Sequence, residues 1–219
     1  MNGRMDVALA MINKTTFPSF GYMVSNEYEP STTLWEKWGA DNLTKDQGDA
    51  SRNHVMFGAI SAWFWKHLAG ITPAAAGWRA VRIAPSFGEL CDEVETDTVP
   101  PAGERVLSSV DATLATAAGE VRSRWELRDR PGGPSSARKA ATAVLEVSVP
   151  HGAEGGAVVV VPCVGHGTVI TEARSGRVVW QHGGFEPSSS DAILDGQRAE
   201  FGGVALRVAA GQFRFLRED

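Results

Sequence analysis

From Trp78 onward the chain consists of short apolar runs separated by turn signals, with no helical period between them. Ala80-Val81-Arg82-Ile83-Ala84-Pro85 alternates with a period of two, the side-chain period of a strand. Further strands are expected at 106–116, 119–128, 143–149, 156–162, 169–172, 178–181, 198–201, 204–208 and 213–216. Arg130-Pro131-Gly132-Gly133, Gly183-Gly184 and Asp195-Gly196 read as the breaks between them. Many strands without intervening helices leave an antiparallel β-sandwich as the economical fold, because crossover helices are what a parallel sheet requires. Residues 131–141, rich in Gly, Pro, Ser and Ala, read as a surface loop.

The first third has a different period. Five of the seven tryptophans fall within the first 78 residues: Trp35, Trp38, Trp63, Trp65 and Trp78. A helix is expected over residues 4–12, with Val7, Ala8, Met11 and Ile12 on one face, ended by Phe17-Pro18-Ser19. Residues 20–47 show no sustained period and read as an ordered loop with a short strand near 22–24. A longer helix is expected over 52–69, with Ser51 as its N-cap and Met56, Ile60, Trp63, Phe64 and Leu68 forming its apolar face. Gly70 sits where a C-terminal left-handed residue belongs, and Pro73 prevents resumption.

Composition narrows the function classes. The chain is 43% hydrophobic and 21% charged, outside the range of disordered sequences. A net charge of -5 and a pI near 5.6 argue against nucleic-acid binding, which needs Lys and Arg to neutralise phosphates. The longest apolar runs, 62–65 and 157–161, are far short of the roughly 20 residues that span a bilayer, so no membrane partner is expected. The N-terminal residues do not form a secretory signal, and the compartment stays undetermined. Cys91 and Cys163 read as buried thiols, with a single disulfide between them as the alternative, and neither they nor the scattered His151, His166 and His182 have metal-ligand spacing. No metal and no cofactor are expected. The chain has no internal repeat, no Gly-rich phosphate loop and no nucleophile elbow. Asn13-Lys14-Thr15 and Asn42-Leu43-Thr44 match the glycosylation acceptor pattern, which is short enough to arise by chance.

Two clusters carry chemical potential. In Ser31-Thr32-Thr33-Leu34-Trp35-Glu36-Lys37-Trp38, a carboxylate lies between two tryptophans and a run of hydroxyls. Such a group suits a general base, provided it touches both water and substrate; the plainer reading is a surface glutamate paired with Lys37. In Ser51-Arg52-Asn53-His54, the side chains of Asn53 and His54 open a helix and could bond ligand hydroxyls. They could equally cap the helix and satisfy neighbouring loops. His67, in the last helical turn, reads as structural.

These blocks, taken in order with Pro18-Ser19-Phe20-Gly21-Tyr22-Met23, Val55-Met56-Phe57-Gly58 and Leu68-Ala69-Gly70-Ile71, resemble the bacterial-type α-L-rhamnosidases of glycoside hydrolase family 78. The tight match covers residues 3–88, and Val81-Arg82-Ile83-Ala84-Pro85 is similar to the strand leading into that family's C-terminal sandwich. The resemblance implies an α+β multidomain fragment: the last helices of a six-hairpin α/α barrel over 1–72, then an antiparallel β-sandwich over 73–219. It implies hydrolysis of terminal α-L-rhamnosyl bonds with inversion, which needs two carboxyls about 6.5–9.5 Å apart. Glu36 occupies the position of the family's general base and His54 that of a rhamnose contact. Trp35 and Trp38 fall at positions expected to shape the pocket wall, and Asn53 stays a candidate contact to ligand hydroxyls.

The same resemblance implies what is missing. Two helices stand where the barrel needs twelve, and no residue here matches the family's general acid. General acid–base assistance is commonly worth about 10²–10⁴-fold, so the 219-residue chain by itself is expected to be inactive. The apolar face of the 52–69 helix is expected to remain exposed and to promote self-association. The competing expectation is a carbohydrate-binding or accessory sandwich, for which only Trp125, Trp180 and a few phenylalanines are available. A third is an interaction protein that docks through the helical face.

Overall fold

The computed structural model describes residues 5–40, 50–87, 107–128, 142–162, 165, 167–186, 192–199 and 202–218. Cys91, Cys163, His166, the 131–141 loop and the Asn42 acceptor pattern lie outside these residues. The chain forms two compact units, Asn2–Phe64 and Trp65–Asp219.

The first unit opens with α1 (Met5–Asn13), where the apolar spacing places it. The short strand expected near 22–24 is instead a helix, α2 (Phe20–Ser25). The cause is local capping: the Ser19 hydroxyl accepts the Tyr22 N–H at 2.9 Å, and Met23 is buried on the inner side. That cap outweighs the strand preference of Tyr22 and Val24. The expected 52–69 helix is three pieces: a 3₁₀ turn at Val55–Gly58, α3 (Ala59–Trp63), and a wide π turn at Phe64–Leu68. Its N-cap is His54 rather than Ser51, because the Ser51 hydroxyl is engaged with the Asn53 backbone. Met23, Trp35 and Ala40 form a small core, with Leu34, Trp38, Ala50 and Phe57 against it. Trp38 stacks on Phe57 at 4.1 Å, and Phe20 meets both rings edge-on.

The second unit is a sandwich. Gly70 adopts φ +75°, and a Cβ there would lie 2.1 Å from the Ala84 carbonyl carbon. Only glycine permits that approach, which lets β1 (Ile71–Pro73) run beside β2 (Val81–Ile83). The remaining strands are β3 (Ser109–Thr116), β4 (Gly119–Arg128), β5 (Thr142–Val149), β6 (Ala157–Val161), β7 (Val169–Glu172), β8 (Arg177–Gln181), β9 (Gly184–Phe185), β10 (Ile193–Arg198), β11 (Val204–Val208) and β12 (Gly211–Glu218). One sheet runs β1-β2-β6-β11-β10 and the other β3-β4-β5-β12-β7-β8-β9. All pairings are antiparallel except β2 with β6, so the expected architecture carries one parallel pair. The expected strand at 198–201 lies earlier, as β10, and β1 and β9 have no counterpart among the expected runs.

Alternation along the strands builds the core. Val121, Trp125, Leu127, Leu145, Val147, Phe213 and Phe215 face Val81, Ile83, Val159, Val161, Val204, Leu206 and Val208. Each fully buried side chain of this size contributes about 1.5–3 kcal/mol of transfer free energy. On the outer face, Asp111, Arg124, Glu146 and Arg214 stand opposite one another across β3, β4, β5 and β12, with charges alternating in sign. Their closest N–O separations are 3.9, 3.4 and 3.3 Å. Such exposed pairs are individually worth little, but a one-residue slip of any strand would break the row. Among the described residues no helix is long and apolar enough to cross a membrane.

Candidate active-site residues

The Glu36 and His54 clusters belong to the first unit, and a local antiparallel pairing of two chain segments brings them together. The Glu36 N–H donates to the Ser51 carbonyl and the His54 N–H to the Leu34 carbonyl, both at 2.8 Å. The Thr33 hydroxyl donates to the Arg52 carbonyl. Residues 33–36 are thereby held against 51–54. Glu36 and His54 come from sequence positions 18 apart, yet they share one two-segment platform.

The Glu36 carboxylate is fixed within that platform. Its Oε2 accepts the Ser51 N–H at 2.8 Å, so the same residue pair is bonded through backbone and side chain. Glu36 is half-buried, which leaves part of its carboxylate in contact with water. Among the described residues no ion pair joins it to Lys37, the partner that the plainer sequence reading supplied.

His54 is exposed and acts as the N-cap of the 3₁₀ turn: its Nδ1 accepts the Met56 N–H at 3.0 Å. A ring nitrogen that accepts cannot also carry the proton, so this contact places the hydrogen on Nε2. His54 therefore presents an outward donor suited to a hydroxyl oxygen. The two sequence readings of this residue, cap and ligand contact, use different nitrogens and are compatible. Asn53 is exposed, with its backbone tied to the Ser51 hydroxyl.

The two tryptophans occupy different environments. Trp35 is 2% exposed and packs among Met23 and Ala40, beneath the platform. It supports the segment bearing Glu36 and shows no open face. Trp38 is half-buried, with one face taken by Phe57.

Arg52 and Glu29 were not singled out by the sequence, yet they border this site. Their ion pair links residues 23 apart, a spacing with no pattern to detect. Among the described residues no group of three or more His, Cys, Asp or Glu could hold a metal ion. In the second unit, Trp125 is 1% exposed and Trp180 2% exposed, so neither offers a ring to a sugar. His67, in the π turn, is pushed below the ordinary histidine value by burial and by neighbouring Lys66.

Residues 1–68 match the family model described as the bacterial alpha-L-rhamnosidase 6 hairpin glycosidase domain. Residues 70–176 match the bacterial alpha-L-rhamnosidase C-terminal domain. An alpha-L-rhamnosidase of Streptomyces avermitilis is 35% identical over 131 residues, covering 58% of this chain and 11% of the relative. One of Formosa agariphila is 31% identical over 153 residues, covering 68% of this chain and 13% of the relative. Among solved structures, an alpha-L-rhamnosidase from Dictyoglumus thermophilum superposes over 97% of this chain and 19% of its own, at 28% identity and a TM-score of 0.66. The Streptomyces avermitilis alpha-L-rhamnosidase complexed with L-rhamnose does so over 98% of this chain and 16% of its own, at 28% identity and a TM-score of 0.61. The chain thus spans about a tenth to a fifth of the length of these relatives.

Proposed function

This chain belongs to the bacterial α-L-rhamnosidase family, joining the end of the six-hairpin glycosidase domain to the C-terminal β-sandwich, and we propose that Glu36 is the general base of an inverting rhamnoside hydrolysis. The observation that carries this reading is the paired platform. It holds the Glu36 carboxylate by the Ser51 N–H and sets the donor-bearing His54 on the neighbouring segment.

The chemistry follows from those groups. The free part of the Glu36 carboxylate takes a proton from a water molecule as that water's oxygen bonds to the anomeric carbon. The bond from that carbon to the aglycone oxygen breaks, and the departing oxygen takes its proton from a general acid. Attack from the face opposite the leaving group inverts the anomeric centre. His54 Nε2–H donates to a rhamnose hydroxyl, and Asn53 and Trp38 flank the sugar. Trp35 acts from below by supporting the Glu36 segment. We propose a domain junction between 72 and 73, which falls within β1 and two residues after the positive-φ Gly70.

Because no group here is assigned the acid role, the 219-residue chain alone is proposed to have no appreciable turnover. Incubation with an aryl α-L-rhamnoside tests this, and robust Glu36-dependent release of the phenol would overturn it. The role of Glu36 is tested by exchanging residues 1–219 for the superposing stretch of the Streptomyces avermitilis enzyme. In that chimera Glu36→Gln is expected to lower kcat by about 10²–10⁴-fold, and proton NMR should show β-L-rhamnose as the first product. Parent-level turnover in the Gln variant would reject the assignment.

The sandwich-binding alternative relied on Trp125 and Trp180, and both are core residues, so neither offers a ring for a sugar to stack on.

A further inference from the structure

We propose that Arg52 is the positioning residue of this site: its side chain and backbone together clamp the three loop segments that set the placement of Glu36 and His54. The proposal rests on the reading of Glu36 as the base. It concerns a group that is assigned no contact with the attacking water or the sugar and acts through the platform.

Three contacts carry the inference. The Arg52 guanidinium pairs with the Glu29 carboxylate through one terminal nitrogen. Its Nε donates to the Ala40 carbonyl at 3.2 Å. Its own carbonyl accepts the Thr33 hydroxyl. Residues 29, 33 and 40 lie on both sides of Glu36 in the chain, and Arg52 itself sits between Ser51, which bonds Glu36 twice, and Asn53-His54. Side chain and backbone of one residue therefore bind the Glu36 loop at both ends and in the middle.

The far end of the clamp is itself anchored. Asn26 is 9% exposed, and its Oδ1 accepts the Glu29 N–H at 2.7 Å and the Tyr28 N–H at 3.2 Å. Its Nδ2 donates to the Glu29 carbonyl at 3.1 Å and the Tyr22 carbonyl at 3.0 Å. The Ser31 N–H donates to the Met23 carbonyl at 2.8 Å. Glu29 is thereby fixed to the C-terminal end of α2, and the Arg52–Glu29 pair transmits that fixity to the platform.

Charge alone does not account for the arrangement. The two side chains are 43% and 34% exposed, a setting in which ion pairs contribute little. What matters is the rigid fork of the guanidinium, which directs Nε to one segment and a terminal nitrogen to another. An ammonium has no second fixed donor to direct. A misplacement of about 1 Å at a reacting group can cost on the order of 10²-fold in rate, so a clamp at this point acts on kcat.

The test has two arms. In the 219-residue chain, hydrogen exchange is measured at the Ser51 and His54 amides, which bond Glu36 and Leu34. Arg52→Met and Glu29→Gln are expected to speed exchange at both amides at least about fivefold, while amides in β5 and β12 are unchanged. Unaltered exchange at Ser51 and His54 overturns the proposal without any need for turnover. In the Streptomyces avermitilis chimera, Arg52→Met is expected to lower kcat by about 10- to 100-fold, with KM changed less than about threefold. Arg52→Lys should recover part of the loss, since it keeps the Glu29 contact and forfeits the Ala40 one. Parent-level kcat in Arg52→Met, normalised to folded protein, overturns the positioning role while a dead Glu36→Gln leaves the base assignment standing. An active Glu36→Gln with altered amide exchange in Arg52→Met rejects the base assignment and leaves the clamp only a structural role.

Discussion

Trp125→Phe is the substitution for which the second unit makes the sharpest quantitative statement. The indole is 1% exposed, lies 5.3 Å from the Phe87 ring, and donates its N–H to the Leu68 carbonyl at 2.8 Å. Phenylalanine keeps a ring in the same slot but removes the donor, and the part-buried Leu68 carbonyl loses this bond. The net worth of such a bond is about 0.5–1.5 kcal/mol. The smaller ring also vacates roughly 40 Å³, worth about 1 kcal/mol at ~24 cal/mol per Å³. The sum is a loss of about 1.5–2.5 kcal/mol, or roughly 3–10 °C in Tm for a unit of this size. Urea unfolding followed by far-UV circular dichroism measures it, with the m-value expected to be unchanged because the core stays intact. A loss below about 0.5 kcal/mol would refute the reasoning, since it would mean that the bond to Leu68 and the ring's packing carry no net weight.

Glu172 should give the sandwich an acid-sensitive component. Burial pushes its carboxyl up, but the Ser175 hydroxyl at 2.6 Å and the N–H groups of Ser175 and Arg174 hold it net below its ordinary value of 4.5. A depressed folded-state value stabilises the fold above the unfolded value, and that stability is lost as pH falls through the folded one. Stability of Glu172→Gln should therefore vary less with pH below about 4.5 than that of the parent, and parallel acid limbs would contradict this. His182 adopts φ 50° and Gly183 φ 76° in the two-residue turn joining β8 to β9. Both central residues of such a turn need positive φ, which asparagine tolerates better than histidine, so His182→Asn should stabilise by about 0.5–1 kcal/mol. A destabilised variant in thermal denaturation would count against that assignment. Val55 is 85% and Met56 54% exposed beside Phe64 at 39%, and concentration-dependent association of the chain is expected from this face. A clean monomer by light scattering at high concentration would reject it.

The sandwich was legible wherever its signals were local. β4, β7 and β11 coincide with the runs 119–128, 169–172 and 204–208, because alternation and flanking turns are written within each segment. β10 shows the limit of that logic. Asp195-Gly196 has the composition of a turn but lies within the strand, where an irregularity falls between Ile193 and Asp195. A Cβ on Gly196 would lie 2.6 Å from the Phe185 ring, so the glycine serves a close side-chain approach. Nothing within ten residues of Gly196 distinguishes the two uses. β12 was seen as 213–216 but runs to Glu218, because Arg217 continues its inward row after Phe213 and Phe215. An arginine read from sequence belongs outside; here it is fully buried, bonds the Pro162 carbonyl at 3.2 Å and lies over the Phe87 ring.

The candidate site divides the same way, and the division has a physical basis. Glu36 and His54 could be picked out because their chemistry resides in side chains within compact motifs, Thr-Thr-Leu-Trp-Glu and Asn-His. What holds them does not. The donor to the Glu36 carboxylate is the backbone N–H of Ser51, a group that every residue except proline possesses. The N-cap at His54 uses a ring nitrogen in place of the hydroxyl or carboxylate that capping patterns lead one to expect, which is why Ser51 drew attention instead. The clamp from Arg52 to Glu29 and Ala40 joins residues that become neighbours only once α2 forms, and α2 itself depends on a cap at Ser19 that the surrounding aromatic residues obscured. A motif can thus reveal which residue acts, while the precision with which it is held depends on pairings that exist only in the folded chain.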